Sequence, residues 1–425
     1  MAYAEKRVST AKGSKGKVSW RVKYKKPDGS EGSQSGFPTK KTALDWGREQ
    51  EASIRAGRWV DPELSRRHFG DWAREWMASQ SPRGRTTMNR WERLEAHILP
   101  KWEFTPLQEV DWFKVESWAR SMTCAESTIR DCVGLMSRIL TGAVDARHLQ
   151  VNLLYGRRLT GLNAAAAPRS EQDTDDDARG SVVTPEQVLR LARRLGPVVG
   201  LQIVTDTWTG LRYEELVGLH RDNVLRRRRQ QHDGGWFECP TIRVHADVGA
   251  LAEYYKRDPE TGKRICFRAF EPPKTAAGVR DIDLPPFLAD LWTDHLEWWP
   301  HEHVCTTPKG ALWWRSHWCS TLRPAADGRP ARPKARGTAL KEEWEPIAPG
   351  LTARGLRRLH DSLQEEIGVA PVLGYEQMGH RYPGIKAHYR RPTPRMRQHR
   401  LDGLQEVFER AMRNLGWKEI WETAC

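Results

Sequence analysis

Residues 161–180 read GLNAAAAPRSEQDTDDDARG: small, polar and acidic, with no apolar spacing of either the helical or the strand kind. A stretch of that composition has too little apolar surface to pack, so it reads as a linker. It divides a chain of 425 residues, long enough for two or three domains, into parts that must each build a core. Thr184-Pro185-Glu186-Gln187 has the form of a helix start, with Thr as N-cap, Pro at the first helical position and Gln three residues past the cap. A new domain is therefore expected near residue 181.

Before the linker, residues 66–160 carry helical spacing. Phe69, Trp72, Ala73, Trp76 and Met77 follow i, i+3, i+4, i+7, i+8. Trp91, Leu94 and Ile98 predict a second helix ending at Pro100, and Val115, Trp118, Ala119 and Met122 a third. Ile129, Cys132, Val133, Met136, Ile139, Leu140 and Ala143 mark the clearest amphipathic helix of the chain. Four helices over this span predict a bundle. Its polar faces hold Arg83, Arg85, Arg90, Arg93, Arg130 and Arg138, which suit phosphate contacts and plain solvation alike.

Ahead of the bundle, residues 1–60 predict a small β-sheet with one helix behind it. Nine Lys or Arg stand in residues 1–26 against one acid, Glu5. Trp20, Val22 and Tyr24 alternate with Arg21, Lys23 and Lys25, which makes a strand with one apolar and one basic face. Pro27-Asp28-Gly29 is a turn, because Pro presets φ and Gly tolerates positive φ. A second strand is expected from Gly32 to Phe37, then a helix from Lys40 to Ala56 capped by Thr39. Arg21, Lys23 and Lys25 are candidate DNA-binding residues, since β-sheet faces can enter a groove; a solvated strand face accounts for them equally.

After residue 181 the chain is helical through Trp208, broken at Thr209-Gly210, and helical again from Leu211. Trp236–Ala246, Lys263–Glu271 and Val279–Leu284 read as strands with long polar connections, and Pro285-Pro286 ends them. The remainder is mostly helical. Leu401, Leu404, Val407, Phe408, Met412 and Leu415 describe a last helix, which would dock on a neighbouring subunit or on its own domain. The fold class is thus multidomain and mainly α with small β parts.

Composition narrows the function. The net charge of +14, from 69 basic and 55 acidic residues, favours a polyanionic partner, nucleic acid first. Seven scattered cysteines with no C-x-x-C pair indicate neither a disulfide framework nor a cysteine zinc site, and fit a reducing cytoplasm. The start MAYAEKRVST has no apolar core, and no run reaches about 18 apolar residues, so neither signal peptide nor membrane span is expected. Most of the 20 tryptophans sit at helical spacing and read as core. His295, His301, His303 and Cys305 fit no standard zinc spacing, and the adjacent Trp298-Trp299-Pro300 reads as a packed helix end. Neither metal nor cofactor is expected.

The chemistry concentrates near the C-terminus. From Arg381 to Arg400 there is no carboxylate and there are seven Lys or Arg, and within this stretch Tyr389 follows His380 by nine residues. A phenol in so positive a setting suits attack on a phosphodiester, because positive charge favours its ionised form. Strand cleavage without metal also needs guanidiniums for the phosphate oxygens, a general acid for the departing 5′-oxygen, and a nucleophile held in line with it. Arg212 follows Thr209-Gly210-Leu211 at a helix start, Lys274 stands at an expected hairpin in Pro272-Pro273-Lys274-Thr275, and Arg354 and Arg357 share a helix face one turn apart. Of the competing tyrosines, Tyr375 lies in an apolar stretch and reads as core, while Tyr382 precedes Pro383 and has little reach.

In order and local wording these residues resemble the tyrosine recombinase (phage integrase) family. TGLRYEEL resembles its first arginine box, with Glu215 at the acidic position; PPKTAAGVRDIDLP resembles its lysine hairpin; TARGLRR resembles the box T-x-H-x-L-R-H; MGH with Tyr389 resembles the last histidine and the nucleophile. The match spans residues 181–400. Together with the sheet and the bundle it is similar to the three-domain integrases of actinobacterial-type phages and integrative elements. The resemblance implies an arm-type DNA-binding domain over residues 1–60, a core-binding domain over 66–160, and a mixed α+β catalytic domain over 181–425. It implies a site-specific recombinase with Tyr389 as nucleophile, Arg212, Arg354 and Arg357 on the scissile phosphate, Lys274 as general acid, His380 assisting, and Glu215 orienting an arginine or bracing the fold. It further implies double-stranded attachment sites, a homotetramer on DNA, and an excisionase and a DNA-bending protein as accessory partners. Two departures stand out: Arg354 and Arg358 occupy positions where the family most often has histidine. Arginine cannot exchange a proton near neutral pH, which leaves proton donation to Lys274. A recombinase-like DNA-binding protein without turnover and a type IB-like topoisomerase are the alternatives. The long segment between Arg212 and Lys274 is expected to carry an insertion.

Overall fold

The computed structural model describes residues 1–8, 17–80, 84–161, 183–232, 234–258, 260–261, 263–334, 340–384 and 389–421. Residues 162–180 of the expected linker, and Arg83, lie outside them. The chain divides into two units, Met1–Asp173 and Thr174–Cys425.

The first unit opens with an antiparallel sheet in the order β1 (Tyr3–Val8), β2 (Val18–Lys25), β3 (Glu31–Phe37), followed by helix α1 (Lys40–Arg55). Val22 and Tyr24 of β2 are buried, as their alternation demands. Gly47 of α1 lies against that face: a Cβ there would come within 2.7 Å of Val22 Cγ2. Thr39 caps α1, accepting from the Thr42 amide at 3.2 Å. β1 went unread in the sequence because its residues YAEKRV alternate no apolar face; pairing to β2, Tyr3 opposite Lys23, is what makes it a strand.

The short helix α2 (Pro62–Ser65) leads into α3 (Phe69–Ser79), α4 (Gly84–Arg93), α5 (Leu99–Trp102), α6 (Trp112–Ser121) and α7 (Glu126–Asp145). A π turn, Leu94–Ile98, joins α4 to α5, so the second helix runs past Pro100 rather than ending there. Pro100 sits in the first turn of α5, where a missing N–H costs little. Phe69, Trp72, Leu94, Ile98, Trp102, Met136 and Ile139 belong to one buried core. Trp72 packs as core and donates Nε1–H to the Ile139 carbonyl at 3.0 Å. Of the basic residues singled out in the bundle, Arg93 pairs with Asp131 and Arg130 with Glu126.

The second unit is built on α8 (Pro185–Thr209), whose capping box of Thr184 and Gln187 starts it and whose residues Val199–Thr209 are buried without a break. It bends at Gly196-Pro197. The short α9 (Tyr213–Val217) follows, then β4 (Arg226–His232), β5 (Gly235–Val244), β6 (Ala250–Arg257), β7 (Arg264–Glu271) and β8 (Arg280–Asp283). β4, β5 and β8 form one antiparallel sheet in that order, with Arg228 opposite Cys239 and Val244 opposite Arg280. β6 and β7 form a separate hairpin that lies between β5 and β8 in the chain. β4 escaped the sequence reading because RRRRQQH has no apolar residue to alternate.

Helices α10 (Pro286–Trp298), α11 (Arg315–Asp327), α12 (Ala353–Ile367), α13 (Pro371–Gln377) and α14 (Pro394–Leu415) complete the unit. α14 packs on its own unit: Leu404, Val407 and Met412 enter the core, the Phe408 ring stacks on Phe287 at 3.7 Å, and Trp208 donates to the Leu404 carbonyl at 3.2 Å. His295 is buried against Trp292, Trp298 and Trp299, its ring stacked on Trp299 at 4.9 Å.

Candidate active site

α8 ends at Gly210, whose φ of 62° only glycine adopts freely. A Cβ there would also come within 2.6 Å of His360 Cδ2 and 2.9 Å of Met378 Sδ. This turn brings the end of α8, the first turns of α12 and the loop after α13 to one place. Leu211 is buried, and Arg212 then precedes α9 with its side chain about a third exposed, at 32%.

Arg212 and Glu215 close a tight ring. The Arg212 amide donates to Glu215 Oε2 at 3.0 Å, and its Nη1 donates to Oε1 at 2.7 Å. Its Nη2 reaches the Gly379 carbonyl at 3.2 Å. On the other side of the same carboxylate lies Arg280 of β8, donating at 2.9 Å and 3.2 Å. Both Glu215 and Arg280 are buried. Burial opposes ionisation of Glu215, but Arg280 and then Arg212 outweigh it and hold its carboxyl below the usual value. Arg280 also donates to the carbonyls of Gln377 at 2.7 Å and Gly278 at 2.8 Å. Gly379 packs on it so closely that a Cβ would stand 2.8 Å from Arg280 Nη1.

Arg357 comes in from α12. It donates Nη1–H to the Gly210 carbonyl and Nη2–H to the Met378 carbonyl at 2.5 Å, and Nη2 lies 3.3 Å from His380 Nε2. Burial, then the Arg212 charge, brings Arg357 down to about 10, so it stays a cation at neutral pH. His380 is exposed, its amide bonded to the Tyr375 carbonyl at 2.9 Å. Its imidazole is pushed below the ordinary histidine value by partial burial, Arg357 and Arg212, which leaves it neutral at pH 7.

The structure therefore gathers Arg212, Arg357 and His380 and adds two residues that the sequence reading passed over. Arg280 stood in a quoted motif without a role. His360, one turn beyond Arg357, is fully buried, with Nδ1 3.0 Å from the Thr207 carbonyl and its ring pushed down to about 3 by burial and Arg400. Its place at i+3 from Arg357 on a helix face was the one available signal.

The other expected residues stand differently. Lys274 is exposed, and it does not sit at a hairpin tip: it lies in the connection from β7 to β8, strands of two different sheets, because β7 pairs with β6 and β8 with β5. Arg354 is exposed in the first turn of α12, which Thr352 caps at 3.1 Å. Tyr389 is 81% exposed and makes no side-chain hydrogen bond among the described residues, which exclude 385–388. Tyr375 is not core: it is 37% exposed and packs edge-on against Tyr382 at 5.1 Å, and Tyr382 in turn accepts from Arg390 at 3.0 Å.

In the first unit, Arg21, Lys23 and Lys25 share the outer sheet face, which is not wholly basic. Lys23 lies 3.6 Å from Glu5 and 3.5 Å from Glu31, and Arg21 donates to Ser33 at 2.6 Å. Tyr3, Glu31 and Glu5 hold the Lys23 ammonium above its usual value. Lys25 is exposed.

No protein-family model matches the chain. A segment of the Tn1549 transposon integrase in complex with circular intermediate DNA superposes with a TM-score of 0.51 at 15% identity, covering 80% of this chain and 100% of that one. The chain has the tyrosine-recombinase fold. A variant of the same integrase with another circular intermediate DNA agrees, with a TM-score of 0.51 at 14% identity over 79% of this chain and 99% of that one. In sequence, a protein named "Putative prophage phiRv2 integrase", from two strains of Mycobacterium tuberculosis, is 23% identical over 237 residues, 56% of this chain and 52% of that protein. The chain spans about half the length of these curated relatives. In the chain the β6–β7 hairpin lies between β5 and β8, which pair with each other. Among the described residues no group of three or more His, Cys, Asp or Glu side chains is placed to hold a metal.

Proposed function

We propose that this chain is a site-specific DNA recombinase of the integrase type, cleaving and rejoining attachment-site DNA to integrate and excise a mobile element. The observation that carries this reading is the convergence of Arg212, Arg357 and His380 around the carbonyls of Gly210, Met378 and Gly379, with Arg357 Nη2 3.3 Å from His380 Nε2. Two fixed guanidiniums beside a neutral imidazole suit a phosphate that gains negative charge in its transition state.

The Tyr389 oxygen bonds to phosphorus as the bond to the 5′-oxygen breaks. The phenolic proton passes to His380, and Lys274 gives a proton to the departing 5′-oxygen. Arg212 and Arg357, with Arg354 as a third contact, hold the non-bridging oxygens. The products are a 3′-phosphotyrosyl ester and a free 5′-hydroxyl. Attack by the 5′-hydroxyl of a second duplex reverses the step and exchanges strands, through a Holliday junction. Glu215 orients Arg212 and takes no part in the bond changes.

Residues 1–60 would bind arm-type sites through Arg21, Lys23 and Lys25, residues 66–160 would clamp the core site, and residues 181–425 would carry the chemistry. The working form would be a homotetramer on two duplexes, with an excisionase and a DNA-bending protein setting direction, in the cytoplasm at the nucleoid. Among the described residues no helix is long and apolar enough to cross a membrane.

A nicked duplex bearing the attachment core tests this, because the short fragment that carries the freed 5′-hydroxyl diffuses away and traps the covalent complex. Wild type accumulates a protein–DNA adduct; Tyr389→Phe binds the duplex and accumulates none. Adduct from Tyr389→Phe removes Tyr389 as nucleophile. Binding without any wild-type adduct leaves a DNA-binding protein, and relaxation of supercoiled DNA lacking a specific site marks a topoisomerase.

A further inference from the structure

Strand β8 is four residues long, and its two ends hold different parts of the site. Arg280 at its start grips Glu215 and the Gln377 carbonyl. Asp283 at its end has 0% exposure and accepts from three arginines: Arg228 Nε of β4, Arg397 Nη1 of α14 at 2.9 Å, and Arg400 Nη2 of α14 at 2.6 Å. The two α14 arginines are themselves buried, at 3% and 1% exposure. Arg397 uses its other terminal nitrogen on Glu376 of α13 at 2.7 Å. Glu376 is four residues before His380. The first two turns of α14 are thus tied to β8 and to the helix that leads into His380.

This arrangement bears on Tyr389. α14 begins at Pro394, five residues after the tyrosine. Tyr389 is 81% exposed, and its side chain makes no hydrogen bond among the described residues. Beside the Arg390–Tyr382 hydrogen bond at 3.0 Å, the place where its downstream helix is fastened helps to set its position. Apolar contacts at Leu401 and Leu404 would bury α14 with less desolvation cost than three arginines and a carboxylate. The ion knot adds direction: guanidinium–carboxylate bonds fix both the rotation and the axial register of the helix start.

We propose that Asp283 is a positioning residue for the nucleophile, holding Arg397 and Arg400 so that the segment bearing Tyr389 starts from a fixed place beside α13. The inference rests on the reading of Tyr389 as nucleophile.

The test uses the full chain and a nicked duplex on which wild type forms adduct and Tyr389→Phe does not. Asp283→Asn keeps wild-type affinity for the duplex, while its adduct rate at saturating protein falls about 10- to 100-fold, the scale of a misplaced reacting group. The loss persists on a duplex with a bridging 5′-phosphorothiolate, whose sulfur leaves without a proton, because the defect lies in placement and not in acid catalysis. An adduct rate within about twofold of wild type, or recovery on the phosphorothiolate duplex, overturns the proposal. Should Asp283→Asn not fold, Arg397→Gln, which leaves Arg228 and Arg400 on Asp283, shows the same pattern with a smaller loss; an unchanged rate in that variant overturns it equally. Absence of wild-type adduct on every duplex sinks the Tyr389 reading, and the inference with it, a result distinct from either variant's.

Discussion

Arg280 and Glu215 face each other inside the second unit, two terminal nitrogens on two carboxylate oxygens at 2.9 Å and 3.2 Å, each side chain 3% exposed. The pair is the hub of the site, since Glu215 also orients Arg212 and Arg280 also holds the Gln377 carbonyl.

Removing one partner leaves the other charge buried alone. Glu215→Gln should cost about 3–5 kcal/mol of stability, read by urea unfolding, and the double variant Glu215→Gln/Arg280→Met should recover part of it. Neither should recover adduct formation, because Arg212 has lost its brace in both. Arg280→Lys should resemble the loss variants, since an ammonium cannot span both carboxylate oxygens and two carbonyls.

Gly210 carries two demands, a φ of 62° and an approach that puts a Cβ 2.6 Å from His360. Gly210→Ala should lower stability by about 1–3 kcal/mol. Its carbonyl is an anchor for Arg357, so the adduct rate should fall in parallel at unchanged duplex affinity. A variant with wild-type stability and rate would contradict the close packing.

His360 gives a pH dependence with a definite sign. Its ring is pushed from 6.5 down to about 3, with burial first and Arg400 second. Below about pH 6.5 the unfolded chain takes a proton that the folded chain refuses, so this residue's contribution lowers stability as pH falls, by about 1 kcal/mol per pH unit, until about pH 3. Asp206 acts with the opposite sign, since burial keeps its carboxyl protonated in the folded state while the unfolded chain ionises it. The difference between wild type and His360→Asn, which retains a donor for the Thr207 carbonyl, isolates the histidine. Urea unfolding at several pH values should show that difference changing in the variant's favour as pH is lowered.

Lys274 is exposed, beyond hydrogen-bond reach of any partner among the described residues, and its proposed duty is proton donation to the leaving oxygen. Lys274→Ala should lower the adduct rate about 100- to 10,000-fold on an ordinary duplex. A bridging 5′-phosphorothiolate should restore it, the reverse of the Asp283→Asn outcome. A variant that the sulfur substrate does not rescue would move the acid elsewhere.

Periodicity and wording carried the sequence reading far. The helices of residues 69–145 declared themselves by apolar spacing, and the capping box at Thr184 marked the start of α8. TGLR, TARGLRR and MGH pointed to Arg212, Arg357 and His380 because each lies in a short local frame, a helix end or a helix start, that the neighbouring residues specify. What chain-local patterns cannot express is which distant group a polar side chain will meet. Arg280 meets Glu215 across 65 positions and Gln377 across 97, and Asp283 meets Arg397 across 114. A buried arginine and a solvated one are the same letter until the sheet and helices close around them. β4 became a strand only by pairing with β5, and Lys274 left its expected hairpin only because β6 and β7 paired with each other. The sequence thus determined the helices and the residue types offered for the chemistry, through local spacing and capping. The tertiary structure alone decided which charges are buried, which carbonyls they hold, and how the segment bearing Tyr389 is fastened, since those are long-range contacts whose partners only folding brings together.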